Sequence, residues 1–488
     1  MRDMIAVMNF DERYASAIAI KLRAEKIYCR IVPGNTPAEE VFALKPLGIV
    51  LAGAVSGDIP ALLDGNLLRG GMPILALGDA ASAVCELLAG SAQEPVVVQD
   101  VETVRLLPSR ITEGISQSER MLCVVRPLTL SDDMDVLAQY NETVIGFMHR
   151  TLPIFGFQFQ IESNDMDGIG ILTQFATTVC GCFPWWNEGA FISAAKSEIA
   201  EAVGEGTAIC AMTGGLDSGV SAVLAHRAIG DRLHCLFVDS GLLRQGEADR
   251  FMEYYSATLG LRITRINAVE RFATALAGLS DTDDKRVAIS MTMQAVLDEA
   301  SAGMDYNVII RGTSANDILR RQDTVVSPSL LQGKRMVQPL RELFKEEIRH
   351  VGEALGMLPE VYSAQPFPGS GLALRIIGEA TPERLAMLRE ADAILREEIR
   401  QAGLHKRLWK YFAFMYHFPQ DNDPEAVVIG LRAVSASSAS GGMRALPARL
   451  PYDLLERCVE RIMTGCPYVF KVFQDITPGS ILSDLDWQ

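Results

Sequence analysis

The 488-residue chain carries a formal net charge of −16, with 49% hydrophobic and 22% charged residues. That balance suits a soluble protein of about two to four domains. It argues against a stable nucleic-acid partner, because such binding needs a basic surface to neutralise phosphates; a local pocket for one small anion stays open. No apolar run approaches the roughly 18 residues of a membrane span. The first residues, Met1-Arg2-Asp3-Met4-Ile5, enter a strand-like run without the pattern of a signal peptide. Nine cysteines are scattered along the chain, and Cys180-Gly181-Cys182 is their one close pair. Its spacing is poor for a zinc knuckle, so buried reduced thiols and a cytoplasmic location are expected.

Three blocks follow one another. In the first (1–186), short apolar strands at 5–8, 28–32, 48–52 and 73–77 alternate with helical patterns such as 15–23. An alternating string, Phe155-Gly156-Phe157-Gln158-Phe159-Gln160, lies near its end. The second block (187–362) opens with a helix. Strands at 208–212, 233–238, 261–266 and 308–310 are separated by helices, including 220–229 and 285–300. Strands spaced by helices imply a parallel, doubly wound sheet with ligands at the strand carboxyl ends. The third block (363–488) holds a long charged helix at 382–402 and a strand at 426–431, while the low-complexity run 435–442 reads as a loop.

The strand at 208–212 runs into Thr213-Gly214-Gly215-Leu216-Asp217-Ser218-Gly219 and then a helix. Glycines let backbone N–H groups converge on an anion, hydroxyls add donors, and the helix N-terminus adds partial positive charge. Without Gly-Lys-Ser/Thr this is not a Walker loop. It resembles the Ser-Gly-Gly-x-Asp-Ser-Ser pyrophosphate loop of the N-type ATP pyrophosphatases, with Thr213 for the first serine and Gly219 for the last. Phe237-Val238-Asp239-Ser240-Gly241-Leu242-Leu243-Arg244 is similar to a segment of the GMP synthase family. So are Pro339-Leu340-Arg341-Glu342-Leu343-Phe344-Lys345, Pro366-Phe367-Pro368-Gly369 and Leu450-Pro451-Tyr452-Asp453.

This resemblance spans nearly the whole chain. It implies a class I glutamine amidotransferase-like domain, an adenine nucleotide α-hydrolase-like ATP-pyrophosphatase domain, and an α+β C-terminal domain that makes a homodimer. The implied reaction adenylates a carbonyl oxygen of xanthosine monophosphate with ATP and Mg2+, after which ammonia displaces AMP. Thr213, Gly214, Gly215, Leu216, Asp217 and Ser218, with Val238 and Asp239, are then the ATP and pyrophosphate residues, and Asp217 is the candidate magnesium ligand. Gly312, Thr313, Asp317, Arg320, Arg321, Lys345 and Arg375 are the candidate acceptor residues.

Two regions depart from the family pattern. In the first block Gly78 stands where the family places its nucleophilic cysteine, and glycine offers no thiolate for thioester chemistry. The family histidine is Gln160, which cannot move a proton near neutral pH, and Glu162 survives without that partner. Cys85 lies further along an apolar helix and reads as a core thiol. Glutamine hydrolysis is therefore not expected. The domain is either a structural remnant or a repurposed docking module.

On the acceptor side the family's acidic residue is Arg320, the following lid is shortened, and the lysine of the family's C-terminal string has no counterpart in Asp484-Leu485-Asp486-Trp487-Gln488. Arg320, Arg321, Lys334 and Arg335 are either a different anion clamp or a solvated basic loop. The acceptor is xanthosine monophosphate, another purine-like compound or a small carbonyl heterocycle, with ammonia or an amine as nitrogen donor. A non-catalytic regulatory relative stays as the alternative.

Overall fold

The computed structural model describes residues 3–53, 59–115, 117–159, 166–319, 328–331, 333–365, 367, 371–421, 423–439, 442–477 and 479–480. The chain forms two compact units, Met1–Ala190 with Ser440–Gly442, and Phe191–Ala439 with Met443–Gln488. Among the described residues no helix is long and apolar enough to cross a membrane, and the described cysteines are free thiols.

In the first unit, strands β1 (Ile5–Asn9), β2 (Cys29–Pro33), β3 (Gly48–Gly53) and β4 (Ile74–Gly78) are parallel. Helix α1 (Glu12–Ala24) begins where the Asp11 carboxylate accepts the Tyr14 N–H at 2.9 Å, an N-cap that satisfies an otherwise unpaired donor. Helix α2 (Asp79–Leu87) starts directly from β4. The sheet then continues through β5 (Val96–Leu106), β6 (Gln117–Val125), β7 (Met134–Tyr140), β8 (Thr143–His149) and β9 (Ile154–Phe157). Its nine strands run in the order β2-β1-β3-β4-β9-β8-β7-β5-β6.

The antiparallel half, residues 96–149, is an addition to the plain strand–helix alternation read from sequence. β9 is parallel to β4 and antiparallel to β8, so it joins the two halves. The strand expected over 155–160 ends at Phe157, and positions 160–165 lie outside the described residues.

Helix α3 (Glu188–Val203) leads into the second unit, where β10 (Ala208–Met212), α4 (Leu216–Ile229), β11 (Leu233–Asp239), β12 (Ile263–Asn267), α5 (Thr282–Ser301), β13 (Val308–Ile310) and β14 (Arg335–Val337) follow. The sheet is parallel throughout, in the order β12-β11-β10-β13-β14. Chain connections leave β10 toward β11 and return to β13 on its other side. The β10–β13 gap is thus the topological switch point, the place where open α/β sheets bind ligands beyond their strand carboxyl ends. Helix α4 starts four residues earlier than its apolar periodicity predicts, because the glycine-rich turn itself forms the first helical turn.

Beyond α6 (Ala315–Leu319) and α7 (Lys345–Ala354), helix α8 (Pro382–Gln401) is capped by Thr381, whose hydroxyl accepts the Arg384 N–H at 3.3 Å. Proline at its first position suits a site that needs no N–H donor. β15 (Lys410–His417) pairs antiparallel with β16 (Val427–Ala439), and after α9 (Tyr452–Gly465) comes β17 (Val469–Asp475), parallel to β16. The loop expected at 435–442 is instead strand as far as Ala439, because β16 keeps its partner β15 to Val434 and extends past it.

The second and third blocks share one core. Val238, Leu242 and Phe272 belong to the same buried apolar cluster as Leu372, Leu388, Leu395 and Ile429. Polar ties cross the same boundary. Arg389 donates to the carbonyls of Leu243 and Gly241 at 3.0 and 2.5 Å. The fully buried Lys285 donates to the carbonyls of Ile376 and Gly378 at 2.7 and 2.5 Å. Burial pushes its ammonium down to about 8.

Candidate active site

The loop after β10 is built around its own hydroxyls. Gly214 turns the chain at φ +83, and Gly215 is the N-cap of α4. The Ser218 hydroxyl donates to the Gly215 carbonyl at 3.0 Å and accepts the Thr213 N–H at 3.3 Å, with the Thr213 hydroxyl 3.4 Å away. The ring of contacts Thr213–Ser218–Gly215 holds the turn at the N-terminus of α4, where the first N–H groups have no partner within the helix and the helix dipole is positive.

Asp217 lies in that first turn, and its carboxylate is ion-paired with the Lys345 ammonium at the start of α7. Burial raises the Asp217 carboxyl above its usual range; Lys345 opposes the rise, nearby Asp317 adds to it and Arg349 opposes it. The sequence grouped Lys345 with acceptor residues, whereas the structure puts its charge on the loop. Its string Pro339–Lys345 was visible in the sequence; its partner, 128 residues away, was not.

Gly312, at the carboxyl end of neighbouring β13, lies against the loop backbone. A Cβ there would lie 2.5 Å from the Ser218 nitrogen and 2.6 Å from the Asp217 carbonyl carbon. Those are backbone atoms that cannot swing aside, so the close approach requires glycine. Thr313 is buried, and its hydroxyl accepts from the Gln338 amide at 3.0 Å. Asp317 accepts the N–H and hydroxyl of Ser314 at 2.8 and 2.7 Å, pinning the start of α6. On the other flank, Val238 is buried at the end of β11. Asp239 accepts the Gly241 N–H at 3.1 Å and is held by Arg265 at 2.6 Å. Thr213 to Ser218, Val238, Asp239, Gly312, Thr313, Asp317 and Lys345 thus come together at the ends of three adjacent strands.

Arg320 and Arg321 lie outside the described residues. Arg375 does not join this group. It is fully buried in the shared core, 3.2 Å from the Asp392 carboxylate and stacked over the rings of Phe367 and Phe412. Desolvation drives its guanidinium down to about 9. A direct acceptor contact would require this core to open, so the placement corrects its reading as an acceptor residue.

Among the described residues no group of three or more His, Cys, Asp and Glu side chains could hold a metal ion. Magnesium is commonly held by one or two carboxylates plus substrate phosphates. Asp217, whose carboxyl is raised in part by the nearby Asp317 charge, forms with Asp317 a two-carboxylate set of that size and no larger one.

In the first unit, β4 passes into α2 through Gly78 at φ 64, ψ −134, the sharp strand-to-helix elbow that exposes a nucleophile in other enzymes. Gly53, at the end of β3, is its register partner. The polar groups around the elbow pair with each other. Asp79 meets the Arg126 side chain at 3.2 Å, and the Gln158 amide bridges the Arg126 backbone N–H and carbonyl, both at 2.7 Å. Cys85 is fully buried, and its thiol is pushed up to about 11, mainly by desolvation; it is a core thiol. Gln160 and Glu162 lie outside the described residues.

Gly312→Ala tests the central contact. Overpacking of this kind costs roughly 1–3 kcal/mol and displaces the loop backbone. MgATP affinity measured by calorimetry should fall at least about tenfold while the circular dichroism spectrum stays native; an unchanged affinity would show that the loop does not depend on this approach.

No family model matches the chain. Curated relatives align over nearly its full length. GMP synthase (glutamine-hydrolyzing) of Thermosynechococcus vestitus is 32% identical, with 98% of this chain and 96% of the relative covered. The enzyme of the same name from Caldicellulosiruptor saccharolyticus is 32% identical over 97% of this chain and 98% of its own length. That of Thermomicrobium roseum is 34% identical over 97% and 95%. The alignments run through both units and take in the loop after β10, so the chain belongs to the GMP synthase family.

Proposed function

We propose that this chain is an ATP-dependent carbon–nitrogen ligase of the GMP synthase type that makes no ammonia of its own. The reading rests on one observation above all: a glycine-rich anion loop at the switch point of a parallel sheet, in a chain whose relatives are named GMP synthases. In it, a carbonyl oxygen of a purine-like acceptor attacks the α-phosphorus of ATP and diphosphate leaves. An amine, ammonia in the simplest case, then displaces AMP from the adenylated carbon. The N–H groups of the loop bind the diphosphate oxygens. Lys345 neutralises Asp217 in the resting site and in this reading shares its charge with the departing diphosphate. Asp217 and Asp317 would hold magnesium, which offsets diphosphate charge when bound. The acceptor lies on the Gly312–Asp317 side, next to the loop.

Gly78 supports the loss of glutaminase activity, since the elbow persists without a nucleophile and its neighbours are paired among themselves. The purified chain should release no glutamate from glutamine above background; release that depends on the protein would refute this part.

For the ligase, Asp217→Asn and Ser218→Ala should abolish AMP formation with the fold intact. With ammonium as donor, turnover of xanthosine monophosphate should be weak relative to another carbonyl heterocycle, because the family's tail lysine has no counterpart and a charge-assisted phosphate contact contributes roughly 1.5–3 kcal/mol. Steady-state kinetics decides both points: AMP formation by either variant would misplace the site, and efficient GMP formation at micromolar substrate would restore the ordinary acceptor.

We also propose a homodimer through the third block. Tyr452, Val459 and Met463 of α9, with Tyr468 and Phe470 beside it, expose apolar surface, and grouped surface of this kind marks interaction sites. Light scattering at micromolar concentration should give twice the chain mass, and a strict monomer would contradict it.

A further inference from the structure

The loop's last position is glycine, where the resembling ATP pyrophosphatases carry a serine, and the structure shows what fills the space. A Cβ on Gly219 would fall 2.0 Å from the Tyr255 hydroxyl oxygen and 2.8 Å from its Cζ. The tyrosine hydroxyl thus occupies the volume a serine side chain would take. This contact falls in the first turns of α4, next to the loop. Tyr255 arrives there from a π-helical turn, Glu253–Thr258, a local widening often found at functional sites. Its ring is fixed against Phe251 and Tyr254, with centroids at 4.6 and 4.9 Å, and the residue is 3% exposed.

The hydroxyl is available. Thr213 and Ser218 already spend their hydroxyls on each other and on the loop backbone. Among the described residues none hydrogen-bonds to the Tyr255 hydroxyl. Burial raises the phenol above its ordinary range, so it stays protonated and can donate at any working pH.

We propose that the Tyr255 hydroxyl replaces the missing loop hydroxyl and donates a hydrogen bond to the diphosphate portion of bound ATP. A donor lost by truncating one side chain is thereby returned by another, 36 residues along the chain and on a different element. The proposal rests on the reading of this loop as an ATP site.

Substitution of the tyrosine tests it. Tyr255→Phe keeps the ring packing and removes only the oxygen, so affinity for MgATP and for magnesium diphosphate should fall by about tenfold, with AMP affinity unchanged. Gly219→Ser should also weaken MgATP binding, because its Cβ meets the tyrosine oxygen and Cζ. Tyr255→Phe binding MgATP as tightly as the unsubstituted chain would overturn the proposal, and so would an equal loss of AMP affinity, which a general disturbance of the loop would produce. If the unsubstituted chain itself fails to bind MgATP in the same titration, the ATP reading falls as well, which separates the two failures.

Discussion

Everything in the second unit depends on how closely two backbones approach at the β10–β13 gap. Both strands end there, and the segments leaving them, Thr213–Ser218 and Gly312–Asp317, have to share the same few ångströms. With no side chain at Gly312, the loop lies directly on its neighbour. The N-terminus of α4 is thereby fixed in position as well as formed. The hydroxyl contacts inside the loop would shape a turn anywhere, but only the contact with Gly312 sets where its N–H groups face relative to the segment carrying Thr313 and Asp317. A reaction between two ligands needs this fixed relation, because orientation is a large share of what an enzyme supplies.

A second constraint holds the flank. The segment after β11 is fastened to α8 by Arg389 on the carbonyls of Gly241 and Leu243. Arg244 packs over Phe367 and sits 3.7 Å from Asp392, the same carboxylate that Arg375 reaches. Two guanidinium groups share one buried carboxylate, and aromatic faces take up part of the excess positive charge. Breaking one partner of such a group leaves an uncompensated buried charge, a large penalty. The third block is therefore fastened to the segment after β11, and the two share one core.

The local parts of this arrangement are legible in the sequence. Short apolar runs with helical spacers mark four of the second sheet's five strands, all but the edge strand β14 with its Arg335-Met336-Val337 string, and β13 falls on the three residues expected, because a buried parallel strand is an uninterrupted apolar string. The loop announces itself by composition. The antiparallel half of the first sheet was missed because its strands, such as Gln117–Val125, mix charged and apolar residues and lack the helical spacers that mark parallel strands. Long-range pairings were invisible for another reason. Nothing local to Lys345 says that its charge belongs to Asp217, nothing near Arg375 says that it is sealed under Phe367, and nothing around Tyr255 points to Gly219. Such relations are set by strand order, and only the folded chain states them.

The elbow at Gly78 carries a consequence of its own. Its backbone sits at φ 64, ψ −134, a conformation that costs most residues of order 1–3 kcal/mol and that glycine adopts freely. Any chain that keeps a reactive side chain at such a turn lives with that strain for the sake of the chemistry. Once selection for the chemistry lapses, glycine is the most comfortable replacement, and every later substitution at the position runs uphill. A change from a reactive residue to glycine at such a turn therefore acts as a ratchet: the fold becomes easier to maintain in the same step that makes the earlier residue harder to regain.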